Sequence, residues 1–97
     1  MDDYLEETLA ELRLSTHPTA VETVEFLTGN PTPQEILAYH ASERGQNRVR
    51  QLLALNSAGL AGEAEEKEMD ELERIEHIVI MLKAQMLQME ANRLGQV

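Results

Sequence analysis

The chain has 97 residues, 42% of them hydrophobic and 3% aromatic, with 18 acidic against eight basic side chains and a net charge of −10. This length is enough for one domain. Because the sequence has no cysteine, it excludes a disulfide scaffold and a thiolate metal site. The longest apolar run, Ile78–Leu82, is far shorter than a membrane span, and the acidic start of the chain differs from a secretory signal. We therefore expect a soluble, cytoplasmic protein with no membrane partner.

The acidic charge is concentrated in residues 63–76, the acidic segment, where eight of fourteen positions carry a carboxylate. One interpretation is a solvated helix face whose charges favour the positive end of the helix dipole. The other is a docking surface for a basic partner. Because phosphate backbones are repelled by this net charge, nucleic acid is a disfavoured partner.

The N-terminal part of the chain predicts two helices. Leucines at helical intervals predict the first over residues 3–14. His17-Pro18 interrupts it, since proline disfavours a helical conformation in the residue before it. Thr19 and Glu22 have the spacing of a capping box, which predicts the start of a second helix, and Gly29-Asn30-Pro31 predicts its end.

Two more helices are predicted in the middle of the chain. Thr32 and Glu35 have the spacing of another capping box, followed by a short helix. Ser42 is a candidate N-cap for a helix over residues 43–56. Gly45 weakens the first turns of that helix by about 1 kcal/mol relative to alanine.

The last helix, predicted over residues 62–94, carries two apolar stripes. Each stripe follows alternating steps of three and four residues, the spacing of a helical bundle or coiled coil. The first, the core seam, comprises Leu72, Ile75, Val79, Leu82, Met86 and Met89. The second stripe comprises Ile80, Ala84, Leu87, Ala91 and Leu94. A helix that is apolar on two sides is normally covered on both, so we expect the second stripe, with Met81, to be a protein interface.

No motif of catalysis is evident in the sequence. The three histidines are scattered, without the helical pairing of zinc sites or the Glu-x-x-His pairs of di-iron bundles. The serines lie at predicted helix ends and lack the context of a nucleophile elbow. We therefore predict that the protein is not an enzyme and uses no cofactor, metal or small-molecule substrate.

Arg44, Arg48 and Arg50 form a candidate basic patch. In a helix-turn-helix over residues 33–55 they would contact DNA phosphates. The other interpretation is that Arg44 and Arg48, four residues apart on one helix face, form ion pairs with the acidic helix.

Several stretches of the sequence resemble a group of short acidic helical bacterial proteins of unknown function with the pattern TPxEI…S…R…LL…EL…IEH…LKA. The stretches are Thr32–Leu37, Ser42, Arg48–Leu53, Glu68, Asp70–Leu72, Ile75–His77 and Leu82–Ala84. The resemblance implies an antitoxin-like protein, loosely associated with neighbouring nuclease or toxin genes. It also implies a shared structural or binding role for Glu76 and His77. The segment Gln85–Met89 is more apolar than the corresponding segment of the proteins in this group, which implies a more hydrophobic C-terminal interface.

We predict an all-α protein of about five helices, forming a single domain over residues 1–97, in which shorter helices pack on a long C-terminal helix in a bundle-like arrangement. Its parts are N-terminal helices over 1–30, a short helical hairpin over 31–60 and the long helix over 61–97. The favoured function is a non-enzymatic interaction module, antitoxin-like or an adaptor, that binds and masks a basic protein such as a nuclease or toxin. The alternatives are a structural homodimer paired through the second stripe and, less favoured, a DNA-binding transcriptional regulator.

Overall fold

The computed structural model describes residues 2–95, in which every regular element is a helix. Four helices have eleven residues or more and a fifth segment has six, so the prediction of about five helices is corrected to four helices and one short segment. They are α1 (Asp2–Arg13), α2 (Pro18–Thr28), the short α3 (Pro33–Ala38), α4 (Glu43–Ser57) and α5 (Glu63–Gly95). The all-α prediction is confirmed.

The start of α2 differs from the prediction. Pro18 lies in the first helical turn after the N-cap His17, which is extended and makes no side-chain cap hydrogen bond. Thr19 is buried within the helix, and Glu22 accepts a hydrogen bond from Ser42 Oγ at 2.9 Å. The predicted Thr19–Glu22 capping box is therefore wrong. Proline favours the first helical position because it has no amide hydrogen that needs a partner there.

The two other predicted caps are confirmed. Thr32 Oγ1 accepts a hydrogen bond from the Glu35 amide at 3.2 Å, and the Thr32 amide donates to Glu35 Oε1 at 3.0 Å. These hydrogen bonds hold the pKa of Glu35 below its ordinary value, because the backbone and side chain of Thr32 both lower it. Ser42 Oγ accepts a hydrogen bond from the Gly45 amide at 3.2 Å and so caps α4.

Residues 31–60 form two separate contacts with α5 rather than the predicted helical hairpin. The short α3 packs on α5, whereas α4 packs on both α2 and α5. Among the helices that the structure describes, α3 and α4 do not pack on each other. The chain leaves the helical conformation at Tyr39, whose backbone is extended, and the Ser42 cap then starts α4 in a new direction.

The main core lies where α1 and α2 pack against α5. Its buried members are Leu12, Ala20, Ile75 and Ile78, and the partly buried side chains packed around them are Leu5, Val24, Leu27, Leu72, Val79 and Leu82. Four members of the predicted core seam are therefore in the core or against it. Met86 is half-buried. Met89 is 54% exposed and is corrected to a surface residue, because the part of α5 beyond Lys83 has no buried residue within the described chain.

The shape of the protein is elongated because α5 extends beyond the core. The molecule measures 55 × 23 × 20 Å, and a helix of 33 residues is about 50 Å long. Its accessible surface is 6815 Å², against about 5,600 Å² for a typical monomer of this mass. No described helix, including α5, has a stretch long and apolar enough to cross a membrane.

The contact between α2 and α4 depends on a glycine. Gly45 is buried, and a Cβ atom at this position would lie 2.9 Å from Thr19 Oγ1, closer than such atoms approach in proteins. Glycine is unfavourable inside a helix. Here it lets the two helices approach closely enough for Ser42 to reach Glu22.

We predict that Gly45→Ala lowers the free energy of unfolding by about 1 kcal/mol, although alanine is the better helix former, because overpacking outweighs helix propensity. In a Thr19→Ala background the same substitution should be neutral or stabilising. Urea denaturation of the four proteins measures the coupling between the sites. Stabilisation by Gly45→Ala in the wild-type background would show that Thr19 moves aside without cost.

Candidate functional site

An ion pair between the half-buried Arg48 and the buried Glu68 joins α4 to α5. Arg48 donates from Nε to Glu68 Oε2 at 2.9 Å and from Nη2 to Glu68 Oε1 at 2.7 Å. The Glu68 side chain is 7% exposed. A guanidinium that meets a carboxylate through two parallel hydrogen bonds fixes both distance and orientation. Arg48 also donates from Nη1 to Gln51 Oε1 at 2.9 Å, which holds the guanidinium in place.

The segment between α1 and α2 joins the same polar cluster. Ser15 Oγ donates to Glu71 Oε1 at 2.8 Å, and His17 Nδ1 lies 3.0 Å from that oxygen. His17 Nε2 lies 3.8 Å from Glu68 Oε1. The cluster therefore connects the α1–α2 link, α4 and α5 through two carboxylates one helical turn apart.

Electrostatics keep Glu68 ionised in this setting. The hydrogen bonds from Arg48 hold the pKa of Glu68 below its ordinary value of 4.5, against the effect of desolvation, and the charges of Arg48 and His17 lower it further. Glu68 in turn raises the pKa of Arg48. A carboxylate with a lowered pKa is a weak base, so the geometry gives this cluster a structural role.

Beside this ion pair, an apolar groove of about 570 Å³ lies between α4 and α5. Val49, Leu52 and Leu53 of α4 line one side, and apolar residues of α5 as far as Ile80 line the other. Leu52 is buried, whereas Leu53 is 55% exposed and Ile80 57% exposed. The groove therefore presents apolar surface that the protein's own helices leave uncovered.

Tyr39 forms another part of the groove lining and is anchored to α2. Its ring stacks on Phe26 with the ring centroids 4.2 Å apart and the planes 25° apart. Its hydroxyl lies 3.1 Å from Thr23 Oγ1. These contacts hold Tyr39 between α2 and the groove, directly after the end of α3 at Ala38.

The charge of the groove lining is mainly acidic. Glu73 and Glu76 of the acidic segment line it and are exposed, and Lys83 lines it further along α5. The structure divides the acidic segment by function: Glu68 and Glu71 are engaged inside the protein, whereas Glu73 and Glu76 face the groove. The interpretation as a solvated helix face is therefore wrong for Glu68 and Glu71, and the interpretation as a docking surface stays a prediction.

One exposed face of α5 changes from acidic to apolar along its length. Glu66, Glu73 and Glu76 precede Ile80 at helical intervals that place them on the face of the second stripe. All three are exposed. Beyond them the second stripe is exposed throughout, with Ile80 at 57%, Leu87 at 60% and Leu94 at 68%, and with Ala84 and Ala91 between them. Met81, predicted to belong to this interface, is half-buried.

The candidate basic patch is not a free cluster. Arg48 is bound to Glu68, Arg50 donates to Asn47 Oδ1, and Arg44 is exposed beside a separate surface pocket. The predicted pairing of this helix with the acidic helix is thus confirmed for Arg48. Of the two residues singled out by the resemblance, Glu76 lines the groove, and His77 is exposed with its ring edge-on to Tyr4 at 5.5 Å between centroids.

The residues that form the polar cluster were not predicted from the sequence. One further step of four residues back along the core seam from Leu72 falls on Glu68, and a carboxylate at a core position needs a cation. The spacing alone could therefore have predicted that Glu68 is buried and paired with a cation. The approach of Ser15 and His17 to Glu71, 56 and 54 residues away, has no counterpart in any local pattern.

Comparison of the chain with protein-family models, with curated proteins and with solved structures finds no match. Within residues 2–95, no group of three or more histidine, aspartate or glutamate side chains is arranged to hold a metal ion.

We predict that Glu68→Gln lowers the stability at neutral pH by about 2 kcal/mol, because it removes a charged hydrogen-bonded partner of Arg48. Since the folded-state pKa of Glu68 is lowered, its stabilising contribution is complete above the ordinary value of 4.5 and is lost as the pH falls toward the lowered pKa. Wild type and Glu68→Gln should therefore converge in stability as the pH falls below about 4.5. Chemical denaturation between pH 7 and pH 3 measures this. A constant difference across that range would show that the charge of Glu68 is not the stabilising feature.

Proposed function

We propose that the protein is a non-enzymatic interaction module that binds a basic protein partner through the groove between α4 and α5. The proposal rests on one observation: the same groove is lined by two exposed apolar residues, Leu53 and Ile80, and by two carboxylates, those of Glu73 and Glu76. Such a groove suits an amphipathic helix whose apolar side chains enter the groove while its Lys and Arg side chains meet the acidic rim.

The surface area of the chain also favours a binding role. The protein exposes about 1,200 Å² more than a typical monomer of its mass. One partner in a standard protein interface contributes about 800 Å². The excess therefore has the size expected of surface that becomes covered in a complex.

The class of partner that we propose is a basic enzyme or toxin, which the module masks as an antitoxin or adaptor does. Its net charge of −10 would accelerate encounter with a positively charged protein through long-range attraction. The resemblance to antitoxin-like bacterial proteins points to the same class. Regulation of transcription by direct DNA binding is less favoured, because Arg48 is committed to Glu68 and α3 and α4 lack the mutual packing of a helix-turn-helix.

We predict that the protein binds a labelled amphipathic helical peptide with leucine on one face and lysine on the other. It should bind the matching peptide with glutamate in place of lysine much more weakly. Leu53→Glu should weaken binding of the lysine peptide at least about tenfold, since it places a charge in the apolar groove. Fluorescence anisotropy at increasing salt should show affinity falling with ionic strength.

Matched control variants distinguish binding in the groove from attraction by the net charge of the protein. Glu73→Gln combined with Glu76→Gln should weaken peptide binding several-fold, whereas Glu6→Gln combined with Glu7→Gln removes the same charge from α1 and should have little effect. Leu14→Glu is the control for Leu53→Glu, because Leu14 is 86% exposed on another part of the surface. Equal binding of both peptides, or equal effects of site and control variants, would refute the proposal.

A further inference from the structure

The second stripe is a separate surface from most of the groove and shares only Ile80 with it. From Ile80 to Leu94 it covers about 21 Å of α5. None of the residues that the structure describes beyond Lys83 is buried. Within residues 2–95 nothing covers this part of the stripe, so it offers an apolar packing face to a second molecule.

We propose that a second copy of this chain covers the stripe, with the two α5 helices antiparallel and related by a twofold axis at Leu87. This register places Ile80 opposite Leu94 of the second copy, and Leu87 opposite its own equivalent. Ala84 and Ala91 then meet each other across the interface. Their small side chains permit close approach of the helices, and the large side chains at the centre and ends fill the space between.

Charge complementarity selects this orientation. In a coiled coil through the second stripe, Lys83 and Glu90 both occupy the flanking position immediately before an alanine of the stripe. Antiparallel helices bring equivalent flanking positions together, so Lys83 of each copy meets Glu90 of the other. A parallel pair would instead place Lys83 near Gln88 and Glu90 near Gly95, without a charge partner.

The placement of the core is compatible with this pairing. The shorter helices pack on the core-seam side of α5, around Ile75 and Ile78, and not on the second stripe. An antiparallel pair centred at Leu87 puts the two cores at opposite ends of the assembly. The acidic residues Glu66, Glu73 and Glu76 lie outside the paired region, so the carboxylates proposed to attract a basic partner stay exposed in the dimer.

The interface is short, so we expect a reversible dimer whose fraction rises with concentration. Sedimentation velocity over a hundredfold concentration range should show monomer and dimer in exchange. Leu87→Glu places two carboxylates at the twofold axis and should give a monomer at every concentration. Leu14→Glu, the matched exposed control, should dimerise as the wild type does. A wild type that is monomeric throughout, or a Leu87→Glu variant that still dimerises, would overturn the proposal.

A charge swap tests the register. Lys83→Glu alone and Glu90→Lys alone each replace two attractive pairs by repulsive ones and should weaken dimerisation about tenfold. The double variant has the composition of the wild type and should restore most of the affinity. Glu90 also forms an ion pair with Arg93 within its own helix at 2.6 Å. Because that pair is lost in both the single Glu90→Lys and the double variant, restoration reports the contact between copies. Failure of restoration would overturn the register.

Cysteine cross-linking tests the orientation directly, since the native sequence has no cysteine. Ile80→Cys and Leu94→Cys proteins, mixed and oxidised, should form a disulfide-linked heterodimer, because the register brings these positions together. Ile80→Cys alone should not cross-link, because its two copies lie about 21 Å apart. Self-linking of Ile80→Cys would show a parallel pair. Because these measurements use no peptide ligand, their outcome is independent of the test of the groove.

Discussion

The ion pair of Arg48 and Glu68 is the interaction on which the arrangement of the helices depends. α4 is joined to the rest of the fold through its contacts with α2 and α5, and the two hydrogen bonds from Arg48 fix its position on α5. A buried carboxylate without this partner would be strongly destabilising. With the partner present, the pair joins α4 to α5, and the groove lies between the same two helices. The link before α2 joins the same cluster mainly through Glu71, which Ser15 and His17 contact, and His17 also lies 3.8 Å from Glu68.

The α5 helix has three surfaces of different chemistry, which lie on different sides and at different positions along its length. The core-seam side builds the protein interior, the N-terminal part of the opposite side carries carboxylates, and the C-terminal part of that side is apolar. In the two proposals, a basic ligand and a second copy use largely different parts of this helix and share only Ile80 and Lys83. The proposed basic ligand would be attracted to Glu73 and Glu76, whereas the proposed second copy would require Leu87 and its neighbours. Ile80 and Lys83 both line the groove and lie in the proposed dimer interface, so they are positions through which the two binding events would influence each other.

Much of the secondary structure could be predicted because its signals are local. The Thr32–Glu35 box, the Ser42 cap and the length of α5 follow from short spacings that the tertiary structure respects. The predicted Thr19–Glu22 capping box was wrong for two reasons. Pro18 takes the first helical position, so α2 begins before Thr19. Ser42, which is distant in sequence, donates the hydrogen bond that Glu22 accepts. The prediction that Met89 belongs to the core was wrong, because periodicity shows which side of a helix is apolar but not how far along it the other helices pack. The groove could not be predicted, since it depends on the direction that the chain takes after Tyr39.

The uncovered part of α5 has a consequence for the lifetime of the protein. Helix ends without tertiary packing open at little free-energy cost, and a protease needs a locally unfolded segment to cleave. Lys83 and Arg93 lie at the start and near the end of this part, so a trypsin-like protease would find its cleavage sites there. Any partner that covers the second stripe would close these sites by holding the helix intact. Occupied chains would then persist while unoccupied chains are degraded, and the amount of the protein would follow the amount of whatever binds it.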